Sequence, residues 1–140
     1  MFEIAVNGVC GRMGARIATL AWEDPGVKLV AALERPGHQS LGKDVGSVSG
    51  CGDTGIKITP SLHVQADVLI DFSSPESTVA IAEVCAKKKI ALVVGTTGLS
   101  PRQHEELQHF SQAIPCLVSP NMSVGVNIMF NLVAQVARMV

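Results

Sequence analysis

This 140-residue sequence has no surplus of charge of either sign, no apolar run long enough for a membrane and no paired-cysteine motif, and each absence removes a class of function. Eleven basic residues against twelve acidic ones leave a net charge of −1. No broad positive field is therefore available to gather nucleic acid or an anionic membrane surface, and any anion must be held locally. The apolar stretches fall short of the roughly 20 residues a membrane span needs. The opening Met1-Phe2-Glu3-Ile4 lacks the basic region of a secretory signal. The four cysteines, Cys10, Cys51, Cys85 and Cys116, are scattered with no C-x-x-C spacing. That pattern argues against a zinc site or a local disulfide and fits reduced, structural thiols in a cytoplasmic protein. A G-x-S-x-G elbow and a P-loop are both missing. His104 and His109 turn to different faces of one polar helix, and His38 and His63 fall in separate loops, so no metal ligation is expected.

What remains is apolar and glycine-rich: 47% hydrophobic residues, 16% charged and 13 glycines, the composition of one globular domain with many tight turns. Short β-branched runs at 3–7, 28–33, 68–72, 90–94 and 116–119 alternate with segments of helical period. This predicts an α/β fold of the Rossmann-like, doubly wound kind, a mainly parallel sheet with helices on both faces. The first helix is expected over 11–22, with Met13, Ile17, Leu20 and Ala21 as its apolar face. A second starts at Ser73-Ser74-Pro75-Glu76 and runs to about Lys88. Ser100-Pro101-Arg102-Gln103 is a capping box that opens a third. Residues 36–60 read as a loop region with a short strand at 56–59. The last segment, 124–140, reads as an apolar helix with Ile128, Leu132, Gln135, Val136 and Met139 on one side. It stops without a capping glycine or polar tail, as at a chain boundary, under a covering partner, or in a frayed end.

The chemistry-bearing features lie where strands end. After the first strand, Gly8-Val9-Cys10-Gly11-Arg12-Met13-Gly14 leads straight into a helix. Gly8 suits a tight turn, Gly11 a close approach of backbone to a pyrophosphate at the helix N-terminus, and Gly14 close packing of helix on sheet. The spacing is not the common G-x-G-x-x-G, and glycine triplets also arise by chance in such a chain. Glu34, at the end of the second strand, stands where dinucleotide folds place the carboxylate that binds the adenosine ribose; otherwise it is an exposed charge at a strand end. Arg35 beside it suits adenine stacking and a 2′-phosphate, so the pair predicts use of both NADH and NADPH. Arg12 is a further phosphate ligand or a solvated cation. Gly95-Thr96-Thr97-Gly98 follows the 90–94 strand and fits a nicotinamide or carboxylate subsite, or an ordinary turn. Ser119, Pro120, Asn121 and Met122 close the last strand, where Asn121 and Ser123 offer either ligand contacts or a helix cap.

In order along the chain, G-V-C-G-R-M-G, Leu33-Glu34-Arg35, Asp71-Phe72-Ser73-Ser74-Pro75-Glu76, Gly95-Thr96-Thr97-Gly98 and Asn121-Met122-Ser123-Val124-Gly125-Val126-Asn127 resemble the dihydrodipicolinate reductase family. The likeness covers nearly the whole chain, and the combination is far more specific than any one motif. It implies an oxidoreductase of the diaminopimelate route to lysine, in which NADH or NADPH reduces 4-hydroxy-tetrahydrodipicolinate, a cyclic dicarboxylic imine derivative, to tetrahydrodipicolinate. By that resemblance Gly8, Val9, Cys10, Gly11, Arg12, Met13, Glu34, Arg35, Gly95, Thr96, Thr97, Ser119, Pro120, Asn121 and Met122 contact the cofactor, and Thr97 also faces the substrate. The family's His-His-x-x-Lys segment, which belongs to a second domain, is missing here, so no catalytic residue is assigned. Residues 1–123 are expected to form the cofactor-binding domain and 124–140 a hinge and first helix toward a second domain. The chain is expected to bind cofactor without turning substrate over by itself. Homo-oligomer contacts in the family lie mainly in the second domain, which leaves assembly open. The alternatives are a regulatory module that senses NAD(P), against which no basic DNA-binding segment is found, and an α/β domain with no nucleotide site, against which stand Glu34 and the Gly-Thr-Thr-Gly loop.

Overall fold

The computed structural model describes residues 1–139. Strand β1 (Phe2–Asn7) is followed by α1 (Arg12–Glu23), β2 (Val27–Leu33), α2 (Val45–Ser49), β3 (Ile58–Thr59), β4 (Val68–Asp71), α3 (Pro75–Lys88), β5 (Ala91–Val94), α4 (Pro101–Ser111), β6 (Cys116–Val118) and α5 (Val124–Ala137). Among the described residues the six strands form one sheet in the order β3-β2-β1-β4-β5-β6, every pair parallel. The chain works outward from β1 in one direction, then returns to β4 on its other side. The strand order thus reverses between β1 and β4, and a crevice opens at their carboxyl ends.

Alternation along the strands feeds two cores. Ile4, Val6, Leu29 and Ala32 pack with Val9, Ala18, Ala21, Val45 and Ile58 on the face that carries α1 and α2. Ala5, Leu33, Leu69, Leu92 and Val94 pack with Ile81, Ala82, Cys85, Leu107 and Ile114 on the face that carries α3 and α4. A register shift between Ile4 and Ala5 skips one residue of β2 and keeps both faces apolar across the junction. The doubly wound architecture is therefore the expected one, with strand ends within two residues of their expected places.

Three local readings change. The buried side of α1 is Gly14, Ala18 and Ala21, while Met13 and Leu20 are 51% and 47% exposed. The helix lies so close to the sheet that only small residues fit beneath it, and the bulkier side chains are turned to the flanks. The loop region contains the short helix α2, which carries too few residues to show a period; its signals are Asp44, whose carboxylate accepts from the Gly46 N–H at 2.7 Å, and Gly50, which ends it at φ 79°. Finally, α5 is apolar on more than one side: Met129, Phe130 and Val133 are as exposed as Ile128 and Leu132, and none of its residues is buried. Val140, the last position of the expected helix, lies outside the described residues. No helix among the described residues is long and apolar enough to cross a membrane.

Cys85, fully buried on α3, shows how the core constrains titration. Burial first, and then the negative charges of Asp71 and Cys116, push its thiol up to about 12 from the ordinary 9.0. A thiol kept protonated in the fold but free to ionise in the unfolded chain adds stability in full below about pH 9. That contribution is lost as pH climbs toward 12. The thermal midpoint is therefore expected to fall between about pH 8.5 and 11, and Cys85→Ala to flatten the fall; an unchanged slope in the variant would contradict the assignment.

Candidate functional site

The crevice is built around a turn that only glycine permits. β1 ends at Asn7, and Gly8 takes φ 77°; a Cβ there would stand 2.3 Å from the Phe72 carbonyl oxygen. The chain then rises into α1, with Gly11 as N-cap and no side chain capping the helix. Gly14 meets the same loop from above, since a Cβ on it would lie 2.1 Å from the Gly8 carbonyl oxygen. The expected division of labour among the three glycines is thus reproduced at Gly8 and Gly14, and Gly11 is left exposed at an uncapped helix N-terminus.

The amides of this loop are already committed. Those of Gly8 and Val9 donate to the Leu33 carbonyl at 3.0 and 3.1 Å, that of Gly11 donates to the Gly8 carbonyl at 3.0 Å, and that of Cys10 donates to the Glu34 carboxylate at 3.1 Å. Arg12 and Met13 occupy the first helical turn, where amide groups have no acceptor within the helix. The helix dipole adds its positive end at the same spot. An anion is therefore best received at Arg12 and Met13. Val9 turns its side chain into the core and contributes loop geometry only. Burial raises the Cys10 thiol above its ordinary value, with the Glu34 carboxylate adding to the rise against an opposing hydrogen bond from Ser40.

Glu34 lies across the mouth of this turn. One carboxylate oxygen accepts from Cys10, the other from the Arg35 amide at 3.1 Å, so the side chain is held at the strand end rather than waving in solvent. Arg35 is exposed beside it. Together they separate two hollows. One, of about 260 Å3, runs over Gly8, Gly11, Phe72 and Ser73. The other, of about 570 Å3, is walled by Leu33, Pro36, Pro60, Leu62, Ile81 and Val84, with His63 and Glu76 at its rim. A third cleft of about 240 Å3 continues past the glycine loop between Arg12, Met13, Phe72, Thr96 and Thr97. The three form one track along the carboxyl edge of β2, β1, β4 and β5.

Beneath the track sits a group that reading the sequence for ligands passed over. Asp71, at the end of β4, has no exposed surface, and its carboxylate accepts from Asn7 Nδ2 at 2.7 Å, Ser73 Oγ at 2.6 Å, Thr96 Oγ1 at 2.8 Å and Thr78 Oγ1. Asn7 Nδ2 also reaches Ser73 Oγ at 3.1 Å and Ser77 Oγ at 3.0 Å. Thr96 Oγ1 accepts in turn from the Ser73 amide at 2.9 Å. The hydroxyl of Thr96 is thus engaged inward, and Thr97 is the exposed member of the pair. Gly95 lies against the Phe72 ring, where a Cβ would come within 2.2 Å of the ring carbons. Phe72 and Ser73 stood in the family motif without being named as site residues, and Asn7 and Ser77 carried no signal of their own in the sequence.

Ser119, Pro120, Asn121 and Met122 follow β6, at the edge of the sheet, and do not line these three hollows. Ser119 Oγ donates to the Asn121 carbonyl at 2.9 Å, Asn121 Oδ1 accepts from the Ser123 amide at 2.8 Å, and Ser123 caps α5. The segment is a built helix entry, with Asn127 Nδ2 donating back to the Asn121 and Ser123 carbonyls.

The family model for the N-terminus of dihydrodipicolinate reductase matches residues 2–122. The chain belongs to that family. A 4-hydroxy-tetrahydrodipicolinate reductase from Geobacter sulfurreducens is 43% identical over 99% of this chain and 53% of its own length, and one from Citrifermentans bemidjiense is 44% identical over the same shares. The chain therefore spans about half the length of the curated relatives it matches. Among solved structures, a dipicolinate-bound dihydrodipicolinate reductase from Paenisporosarcina sp. TG-14 superposes with a TM-score of 0.74 at 22% identity, over 98% of this chain and 54% of that one. A homoserine dehydrogenase from S. aureus gives 0.63 at 13% identity, over 84% and 32%. At such identities the superpositions speak for the fold. They agree with the parallel sheet, and the strand order 3-2-1-4-5-6 is that of a Rossmann sheet.

Two substitutions test the frame of the site. Gly14→Ala forces a Cβ onto the Gly8 carbonyl and is expected to cost about 1–3 kcal/mol. Asp71→Asn replaces one acceptor oxygen by an NH2 donor that faces converging donors, and is expected to cost about 3 kcal/mol. Both are read by denaturant unfolding, and a loss below about 0.5 kcal/mol at either position would show that the contact is not under the stated constraint.

Proposed function

We propose that this chain is the nicotinamide-dinucleotide-binding part of a 4-hydroxy-tetrahydrodipicolinate reductase. The observation that carries the proposal is a continuous track at the strand-order reversal, with an uncapped helix N-terminus midway and a held carboxylate at the second strand's end. The fit to the cofactor rests on shape and donors. Gly11 leaves the helix mouth open, and the amides of Arg12 and Met13 are free to receive a pyrophosphate there. The larger hollow has apolar walls and a charged rim, as an adenine subsite needs. When bound, the reduced nicotinamide would supply the hydride. The protein's residues bind and orient.

Glu34 is held where its carboxylate would accept from the adenosine ribose hydroxyls, and Arg35 stands free to meet a 2′-phosphate. We assign both NADH and NADPH as ligands on that basis. Gly8, Val9, Cys10 and Gly11 shape the phosphate loop. Gly95, Thr96 and Thr97 border the opposite end of the track, where Thr97, the exposed hydroxyl, would also face the cyclic dicarboxylic imine substrate. Ser119, Pro120, Asn121 and Met122 would close over the nicotinamide from β6, as a hinge between residues 1–123 and the segment 124–140, whose helix α5 leads toward a second domain. The exposed apolar surface of α5 and the twofold length of the relatives support that division. The proton donor and the substrate-carboxylate ligands are assigned to no residue of this chain, and the chain is expected to bind without turnover.

Titration with NADH and NADPH, followed by nucleotide fluorescence or heat, tests this reading beside an assay of substrate reduction. Both nucleotides are expected to bind and no turnover is expected. Gly11→Trp should abolish both bindings, whereas Arg35→Ala should weaken NADPH by about tenfold more than NADH, the loss of one charge-assisted contact. Unchanged affinity in Gly11→Trp would remove the phosphate loop from the site, and turnover by the chain would overturn the assignment of the chemistry to a second domain.

A further inference from the structure

We propose that Thr96 is a positioning residue: its buried hydroxyl, bridging Asp71 and Ser73, sets the nicotinamide half of the track and leaves the adenine half untouched. The inference rests on the dinucleotide reading above and adds to it the means by which one end of the site is held in register. Two loops form the walls of the cleft at that end, residues 72–74 after β4 and 95–98 after β5. Backbone pairing of the sheet stops just short of them: the last links are the Phe72 amide to the Asn7 carbonyl at 3.1 Å and the Gly95 amide to the Asp71 carbonyl at 2.9 Å. Beyond these, and apart from the Phe72 ring packed on Gly95, the hydrogen bonds between the two walls among the described residues pass through one atom. Thr96 Oγ1 donates to Asp71 Oδ2 at 2.8 Å and accepts from the Ser73 amide at 2.9 Å.

The geometry makes that atom hard to replace. Thr96 is 6% exposed and Asp71 is fully buried, so water cannot readily take over either bond. Both bonds need a group that donates and accepts at once, as a hydroxyl does. Because the side chain is turned inward, it is the backbone around Thr96 that faces the cleft shared with Arg12, Met13 and Thr97. Release of the hydroxyl would let the 95–98 loop drift from Ser73 and widen the cleft where a nicotinamide ring must be gripped. The hollow walled by Leu33, Pro60 and Ile81 reaches Ser74 and α3 but shares no residue with the 95–98 loop.

Thr78 supplies the control. Its hydroxyl also donates to Asp71 Oδ2, from α3, yet Thr78 is fully buried and borders none of the three hollows of the track. A purely structural role of the Asp71 cluster would make Thr96→Val and Thr78→Val alike in their effects.

The experiment measures dissociation constants of the chain for NADH and for ADP-ribose, which has the adenosine and pyrophosphate but no nicotinamide, with thermal unfolding of each variant alongside. Thr96→Val is expected to weaken NADH by about tenfold while ADP-ribose shifts by less than about twofold. Thr96→Ser, which keeps the hydroxyl, is expected to restore NADH affinity. Thr78→Val is expected to lower the thermal midpoint without changing the ratio of the two constants. Equal weakening of both ligands by Thr96→Val, no weakening of either, or a changed ratio in Thr78→Val would overturn the proposal while leaving the dinucleotide site in place. If Thr96→Val does not fold, the Thr96→Ser and Thr96→Cys ratios decide: Ser near wild type with Cys reduced supports the bridge, and equal ratios overturn it. Failure of the unsubstituted chain to bind both ligands would instead remove the nucleotide site and this inference with it.

Discussion

Asp71 stands at the carboxyl end of β4 with none of its surface exposed, in the gap where the sheet changes direction. A carboxylate buried that deeply is tolerable only when hydrogen bonds replace its water, and four side chains from four separate segments do so: Asn7 from β1, Ser73 from the loop after β4, Thr78 from α3 and Thr96 from the loop after β5. The cost of leaving any of these donors unmatched couples the segments to one another. The crevice at the reversal is therefore floored by a polar knot that fixes the positions of the loops above it, while the apolar cores on both faces fix the strands.

The glycine turn works by the opposite means. There the constraint is the absence of atoms: Gly8 passes under the Phe72 carbonyl, Gly14 presses on Gly8, and Gly95 accommodates the Phe72 ring. These contacts draw α1, the loop after β4 and the loop after β5 to one place, and leave an open helix N-terminus among them. Glu34, braced by the Cys10 amide, closes the other side. This layout suits a long, two-ended ligand, because amides without a helical acceptor lie in the middle and hollows of different character extend both ways.

At the far edge, β6 and α5 belong to the fold in a different sense. β6 pairs with β5 but leaves Leu117 and Val118 exposed, and α5 buries none of its residues. Its entry is nevertheless well made, with the Ser123 cap and the Asn121 and Asn127 bonds setting the direction in which the helix leaves the sheet. Side chains thus define where α5 points, even though none of the helix's described residues is buried against this domain.

Much of this was written locally. The alternation of apolar strands with capped helices pointed to the doubly wound sheet, and the capping box at Ser100 and Gln103, the Ser74 cap and the tight turn at Gly8 were readable because each depends on residues adjacent in the chain. Glu34 was readable as well, since its distance from the glycines follows from the length of one β-α-β unit. Helix α1 was misjudged at Met13 and Leu20 because the burial of a helix face depends on how near the sheet approaches, which Gly14 and Gly8 decide together. Asp71 and the inward turn of Thr96 were hidden for the same reason: apart from Ser73, two residues from Asp71, their partners lie 7 to 64 residues away, and a hydrogen bond between distant segments leaves no period or spacing behind. Which segments become strands and helices, and where a glycine turn opens into an uncapped helix, could be read from residue order, since those depend on short-range sterics and patterning. Which hydroxyl faces the crevice and which is bound into the floor beneath it was set by the fold, because that choice belongs to groups brought together by the sheet.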